Sequence, residues 1–507
     1  MTRKLVTLML VLAMVLTMVP AITAGAESAP VTIDWYFGQG EQTDSEHVND
    51  AVNEYLDEVL PGVHVNMHFW AGQQYWDNMT TMISAGQDVG IIGFGSQTLL
   101  DYVVQSQRGG YYPLDELLEE YGAGTKALFP DEVWEAMRIN GHIYGIPSLK
   151  DNGFYISLIY NATMAEELGI DMESWAFNDF RDVEAVAREV KEKRDEAHPE
   201  WADMPVLWDV NLVHPYNFAV ENFLNSSFYA VCNLPDIMTI DGYDTETVFN
   251  LYATPEYLEF AKQKQSLVED GIYAYDYTDR SEWQYTGAIF GWSGWGYTYM
   301  QDHMYGDAFE TKMRLFDNMW TDTNNFFSAG TAISANCATP DKAMQFLNLV
   351  NTDSKLATML RFGIEDEHWG YDEDGKMTFV GYENEVPGSR TYYMWYAAPL
   401  GNLTIVNAPE TLSGPDSIML KNMIQYNNDC IKAAHLGFSF DTAPVVNQVA
   451  ACVNVESQYK NDLVLGRCEA DEVEGLVEDL VADLEANGVN DIIAEVQAQI
   501  DAWKAAK

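Results

Sequence analysis

The chain has 507 residues, enough for two to three domains, and its 14 tryptophans, 29 tyrosines and 22 phenylalanines exclude an acidic chain without a core. It carries 27 lysines and arginines against 78 acidic residues, a formal net charge of −51 that repels nucleic acid and anionic lipid surfaces and favours a neutral or cationic ligand. Solubility outside the cell, or adaptation to salt, accounts for that acidity without any binding role.

The first stretch reads as a targeting segment. Arg3 and Lys4 form a positive start, Leu5 to Val19 carries no charge, and Ala24-Gly25-Ala26 is a small-residue cleavage site. Pro20 ends the apolar run short of the roughly 20 residues that a membrane span needs, so cleavage after Ala26 is expected. Loss of Arg3 and Lys4 leaves 25 basic residues against 78 acidic ones, a net charge of −53.

Val31, Ile33, Trp35 and Phe37 alternate with Thr32, Asp34 and Tyr36 and predict a strand ended by Gly38-Gln39-Gly40. Val48, Val52, Tyr55 and Val59 recur at helical spacing up to Pro61-Gly62. Val63, Val65, Met67 and Phe69 alternate again. His64 and His68, on this second strand, lie about 13 Å apart and too far to share one ion. A helix around Trp76 and Met79 precedes a buried strand, Gly90 to Gly95. This strand–helix order predicts a parallel sheet with right-handed crossovers. Gly141 to Ile170 then holds a turn, a strand stopped by Pro147, a polar link from Ser148 to Gly153, a second strand from Phe154 to Tyr160, and a helix capped by Asn161. Such a stretch can carry a chain from one lobe to another.

Asp182 to Glu192 is helical, and Lys193 to Asp203 follows with Pro199 inside it. Thr286 to Tyr299, TGAIFGWSGWGYTY, places Trp292 and Trp295 among glycines. Trp295 stands where a nucleophile elbow needs its last glycine, so Ser293 is no catalytic serine. Thr339 and Pro340 open one helix and Asp353 caps the next, which Gly363 ends. Asp372 to Gly375 reads as a hairpin turn. Val473, Leu476, Val477, Leu480, Val481 and Leu484 form an amphipathic stripe. Cys232, Cys337, Cys430, Cys452 and Cys468 form no C-x-x-C and no zinc spacing; an odd count leaves at least one thiol free, and most read as buried structural thiols.

Three of these stretches carry a family resemblance. Gly141-His142-Ile143-Tyr144-Gly145-Ile146-Pro147 with the helix ending Glu167-Leu168-Gly169-Ile170, Phe327 to Gly363, and Leu436 to Val446 with Ile493 to Trp503 resemble the solute-binding proteins of carbohydrate ABC importers, in their long lipoprotein-like subgroup. The resemblance implies a two-lobed α/β fold of the periplasmic-binding-protein type II class, with a hinge and extra C-terminal helices. It puts lobe one at 27–149 with 326–364, and lobe two at 150–325 with 365–507. It implies an extracellular protein that captures a carbohydrate, a neutral oligosaccharide given the charge, and delivers it to ABC permease subunits. It implies no catalysis, no cofactor, no metal and no nucleic acid, and a monomer. Lys193 to Asp203 lacks the calcium loop that some relatives carry there: Asp195 and Asp203 have no glycine between them, and Pro199 interrupts. The cysteine that anchors lipoprotein relatives is missing near Ala26.

The family's sugar-stacking stretch points to Trp292 and Trp295 as ligand-binding aromatics in a loop. Strand-end position and side-chain type add Trp35, Gln39, Trp70, Ser96, Asp151, Trp208, Asn325 and Trp395. Two other classes remain: a secreted glycan-active enzyme, and a protein that presents its ligand to a membrane sensor. Glycosidases use paired carboxylates, but with 78 acids apparent pairs occur everywhere.

Overall fold

The structure is a computed structural model. It describes residues 30–506 apart from 96–99, 151, 154–155, 176–179, 209–219, 225–227, 235–239, 241, 275–286, 296–308, 316–319, 374, 376, 381–390, 395–399, 408–423 and 426. The targeting segment, Ser96, Asp151 and Trp395 lie outside the described residues.

The first sheet begins with β1 (Val31–Phe37), β2 (Val63–Phe69) and β3 (Ile91–Phe94), linked by α1 (Ser45–Val59) and α2 (Gln73–Ser84). β1 pairs in parallel with both β2 and β3, as the strand–helix order predicts. α1 buries Ser45, Val48, Val52 and Leu56, one face of a helix, at roughly 2 kcal/mol per apolar side chain. Gly90 sits at φ 59°, where any Cβ would stand 2.2 Å from the Asp34 carbonyl, so β3 can start beside β1 only at a glycine. β4 (Gly145–Pro147) is an edge strand, which tolerates Pro147 because the missing N–H faces outward.

The second sheet comprises β5 (Ile156–Asn161), β6 (Leu207–Trp208), β7 (Tyr273–Ala274), β8 (Gly291–Trp295) and β9 (Thr311–Leu315), in the order β7-β6-β8-β5-β9. β6 is parallel to β7 and β8, while β5 runs antiparallel to β8 and β9. Asn161 caps the helix Ala162–Leu168: its side chain accepts from Met164 N at 2.9 Å, and Gly169 ends the helix at φ 65°. The helix Phe180–Ala197 ends on Arg194, whose guanidinium is buried. It donates to the carbonyls of Pro205 (2.8 Å), Ala288 (2.9 Å), Trp201 (3.0 Å) and Met204 (2.7 Å), and to Asp195 Oδ1 (2.8 Å). One cation thus ties the 201–205 loop to the entrance of β8.

The chain crosses back through β10 (Trp320–Thr321), and β11 (Gly330–Ile333) enters the first sheet between β3 and β4, antiparallel to both, giving the order β2-β1-β3-β11-β4. Asp353 caps the helix Ser354–Phe362 through Leu356 N. Thr339 occupies the cap position of the preceding helix without a side-chain bond, leaving Pro340 at N1 as its start signal. Trp369–Tyr371 and Met377–Phe379 form the hairpin expected around Gly375.

Three cores form. The first surrounds the first sheet, the second lies under the second sheet, and the third joins 220–261 to 438–500, including the helices Val473–Ala486 and Val489–Ala506. Tyr392, Met394 and Leu400 pack in the first core, while Val406 packs with Ala357, Phe362, Trp369 and Met377. None of the five cysteines is in a disulfide, and Cys232, Cys430 and Cys452 are buried. Among the described residues no helix is long and apolar enough to cross a membrane.

Candidate functional site

In open α/β sheets ligands meet the carboxyl ends of parallel strands. In the first sheet that end carries Gly38 and Gln39 after β1, Trp70 after β2 and Gly95 after β3. Trp70 N donates to Phe37 O at 3.1 Å, which draws the ends of β1 and β2 together. The half-buried Trp70 indole packs against Tyr36 with ring centroids 5.0 Å apart. Tyr36 stacks on His68 at 4.4 Å, and His68 Nε2 lies 2.7 Å from Asp34 Oδ1. Burial, then Asp34 and Asp88, push the Tyr36 hydroxyl up to about 12, so it stays a neutral donor. Tyr36 and His68 were absent from the expected site. Their signal is positional: they are register partners on the polar face of two alternating strands.

Gln39 Nε2 donates to the Tyr393 carbonyl at 2.6 Å, and Gln42 grips the same backbone through Nε2 (2.8 Å) and Oε1 (2.8 Å). Gln39 therefore holds Tyr393 in place beside the end of β1. Trp35 is corrected outright. Its indole is 0 % exposed, 4.5 Å from Phe37 and edge-on to Phe346 at 5.5 Å, so it is core. It shares parity with Ile33 and Phe37, the apolar face of its strand. His64 and His68 pair with different carboxylates, Asp57 and Asp34.

In the second sheet, Trp208 closes β6 and Trp295 closes β8. The motif's loop placement is corrected: Trp292 and Trp295 both belong to β8 itself. Their register partners on β5 are Ile159 and Ile156. Three residues of strand separate them by about 10 Å and put the two positions on opposite faces. Position 295 lies at the end where β5 begins, hence where the chain arrives from the first sheet; position 292 lies deep in the sheet.

The crossovers between the sheets run side by side. Ser148 N donates to Ala329 O (3.0 Å), and Thr321 Oγ1 donates to Asn152 O. Leu149 is bonded both ways to the 401–403 segment, through Gly401 O and Leu403 N. Asn427 accepts from Asn152 N (2.9 Å) and donates to Lys150 O (2.7 Å), and β12 (Ile431–Lys432) pairs in parallel with β10. Asn325 sits in the short helix Thr323–Phe327, half-buried, its Nδ2 at 3.4 Å from Thr321 Oγ1. The structure thus gathers Asn325, Thr321 and Asn152 at the crossovers.

Behind them lies a buried polar cluster. Asp322 caps that short helix through Asn325 N (3.1 Å), and burial, reinforced by Glu221, pushes its carboxyl up to about 8. Glu221 is also raised by burial, against the pull of His435, whose Nδ1 is 2.8 Å away. Among the described residues, no group of three or more histidine, cysteine or acidic side chains has the spacing to hold a metal ion.

Residues 45–355, which hold the second sheet and the first except for β1, match the profile of bacterial extracellular solute-binding proteins; residues 434–505 match a domain of unknown function, DUF3502. A carbohydrate ABC transporter substrate-binding protein of Streptococcus pneumoniae is 24% identical over 461 residues, covering 89% of this chain and 86% of that protein. The N-glycan transport solute binding protein NgtS of Streptococcus pneumoniae superposes with a TM-score of 0.76 at 20% identity, over 94% of this chain and 100% of that one. The alginate-binding protein AlgQ2 superposes with a TM-score of 0.61 at 16% identity, over 94% and 98%. Both superpositions carry a two-lobed solute-binding architecture. With the profile covering more than half of its length, this chain belongs to the bacterial extracellular solute-binding protein family.

Proposed function

We propose that this protein captures a neutral oligosaccharide between the carboxyl ends of its two sheets and delivers it unchanged to the permease subunits of an ABC transporter. One observation carries the reading: aromatic residues stand at that end in both sheets, Trp70 after β2 and Trp208 and Trp295 closing β6 and β8. Aromatic faces suit the C–H faces of sugars, and polar neighbours orient the hydroxyls. Asn325 is such a neighbour. Trp292, Ser96, Asp151 and Trp395 belong to the proposed set by motif or strand-end position, and Gln39 supports it through Tyr393. The first sheet forms one lobe and the second sheet the other, closing by rotation about the crossovers. The carbohydrate ABC transporter role of the Streptococcus pneumoniae relative supports the transporter assignment. In this reading the protein is exported, cleaved after Ala26, and acts as a monomer.

The test is a glycan array on residues 27–507 followed by calorimetry, with Man5GlcNAc, kestose and alginate oligosaccharides in the panel. Saturable binding of a neutral glycan that is recovered intact is the expected result. No glycan binding, or turnover abolished by one carboxylate substitution, overturns the reading.

A further inference from the structure

We infer that the two lobes turn about Gly153, and that Asn427 is the positioning residue that confines the bend to it. This inference rests on the proposed closure about the crossovers. The first crossover is held at successive residues up to Asn152. Ser148 N donates to Ala329 O at 3.0 Å, and Leu149 is bonded both ways, to Gly401 O and from Leu403 N, each at 3.0 Å. These partners belong with the first sheet. Ala329 leads into β11, and Asn402 donates through Nδ2 to Asn351 O at 3.1 Å, in the helix Pro340–Thr352 that packs in the first core. One amide then takes the next two groups: Asn427 Nδ2 donates to Lys150 O at 2.7 Å, and Asn427 Oδ1 accepts from Asn152 N at 2.9 Å. The Thr321 hydroxyl, from β10, donates to Asn152 O.

Strand pairing takes over at Ile156, the register partner of Trp295 in the second sheet. Between Asn152, where the held stretch ends, and Ile156, where the second sheet begins, Gly153 is the one described residue. Glycine has the widest choice of φ and ψ, so a turn of one lobe against the other is absorbed there with least strain. The bend is kept from moving back toward Leu149, because one side chain holds both Lys150 O and Asn152 N. A change of direction between those groups breaks one of its bonds. With both bonds gone, a longer stretch is free to bend and the lobes close over many angles instead of one. Only the angle that brings both ligand surfaces together binds, so affinity falls with the share of such closures. Asn427 thus acts on the ligand through the hinge, without touching it.

The experiment compares wild type, Gly153→Pro and Asn427→Ala, each as residues 27–507, with the best neutral glycan of the array. Small-angle X-ray scattering with and without glycan reads closure as a fall in radius of gyration. Calorimetry reads affinity, and circular dichroism reads folding and melting. Gly153→Pro locks φ and is expected to abolish the contraction and weaken binding roughly tenfold or more, with the fold intact. Asn427→Ala is expected to contract less and bind roughly fivefold more weakly. Asn427→Asp keeps the acceptor for Asn152 N, loses the donor to Lys150 O, and should fall between. A merely structural clamp would lower the melting temperature of Asn427→Ala and leave contraction and affinity as in wild type; that result overturns the positioning role. A Gly153→Pro chain that contracts and binds as wild type does overturns the hinge. Should Gly153→Pro fail to fold, Gly153→Val, which narrows φ and ψ but keeps the N–H, decides by the same readings. A wild type that binds no glycan overturns the proposed function, and one that binds without contracting overturns the proposed closure. Either takes this inference with it, whereas variants that behave as wild type overturn this inference alone.

Discussion

His435 Nδ1 and Glu221 Oε2 meet at 2.8 Å with both side chains buried, 0 % and 3 % exposed, joining the chain after β12 to the strand at Glu221. Asp322 adds a second buried acid, and Lys504 lies close enough to act on Glu221. The crossover region thus stores its charge out of water.

The first prediction concerns pH. Asp322 rises from 3.8 to about 8 on folding, and Glu221 rises from 4.5, so both bind their protons more tightly folded than unfolded. Stability therefore falls as pH increases from about 4 to about 8 and is greatest at the acid end of that window. Urea unfolding at a series of pH values should show this slope, and Asp322→Asn should flatten it. Asp44, Asp115 and Asp244 are held below the usual carboxylate range and give a slope of the opposite sign, so the difference between wild type and variant carries the test; identical slopes would sink it.

Trp295 and Trp292 should separate. Trp295→Ala is expected to cost about 2 kcal/mol of glycan affinity, or roughly thirtyfold, as for a buried aromatic anchor. Trp292→Ala, three residues back in β8 and away from the strand end, should weaken the glycan less than Trp295→Ala does. Calorimetry beside circular dichroism reads affinity and folding together. A larger loss at Trp292 than at Trp295 would overturn this order.

Arg194 should be irreplaceable by lysine. Four carbonyls converge on a planar fork that an ammonium cannot copy. Arg194→Lys is expected to cost on the order of 3 kcal/mol in urea unfolding, because buried carbonyls lose their donors. A variant as stable as wild type would show that water replaces the fork.

Intact-mass analysis of the secreted protein should give a chain beginning at Glu27 with no added lipid. A mass retaining Leu5 to Val19 would indicate a membrane anchor instead.

Strong local periods made the first sheet legible: the alternation of β1 and β2 reappears at its residues, as do the helix caps at Asn161, after β5 of the second sheet, and at Asp353. The second sheet was harder, because Leu207–Trp208 and Tyr273–Ala274 are too short to have a period. Trp35 was misread by side-chain type when its parity with Ile33 and Phe37 already put it inside. Tyr392 and Met394 return to the first core from far along the chain, which no local pattern announces. The site was legible as a region but not atom by atom. Ser148 to Gly153 read only as a polar link; its main chain is held by neighbours far along the chain, Ser148 N by Ala329 O and Asn152 N by Asn427 Oδ1.

The position of β11 between β3 and β4 has a consequence for secretion. A chain that leaves the cell amino end first delivers β1, β2, β3 and β4 long before Gly330–Ile333 emerges. Until then β3 presents a bare, apolar edge and β4 has no neighbour in its sheet, with the whole second sheet threaded in between. The first lobe is completed late, by a strand that arrives after nearly two thirds of the chain. Open edges of this kind are where chains stick to one another, so the yield of secreted protein is governed by how the exposed nascent chain is shielded during that interval.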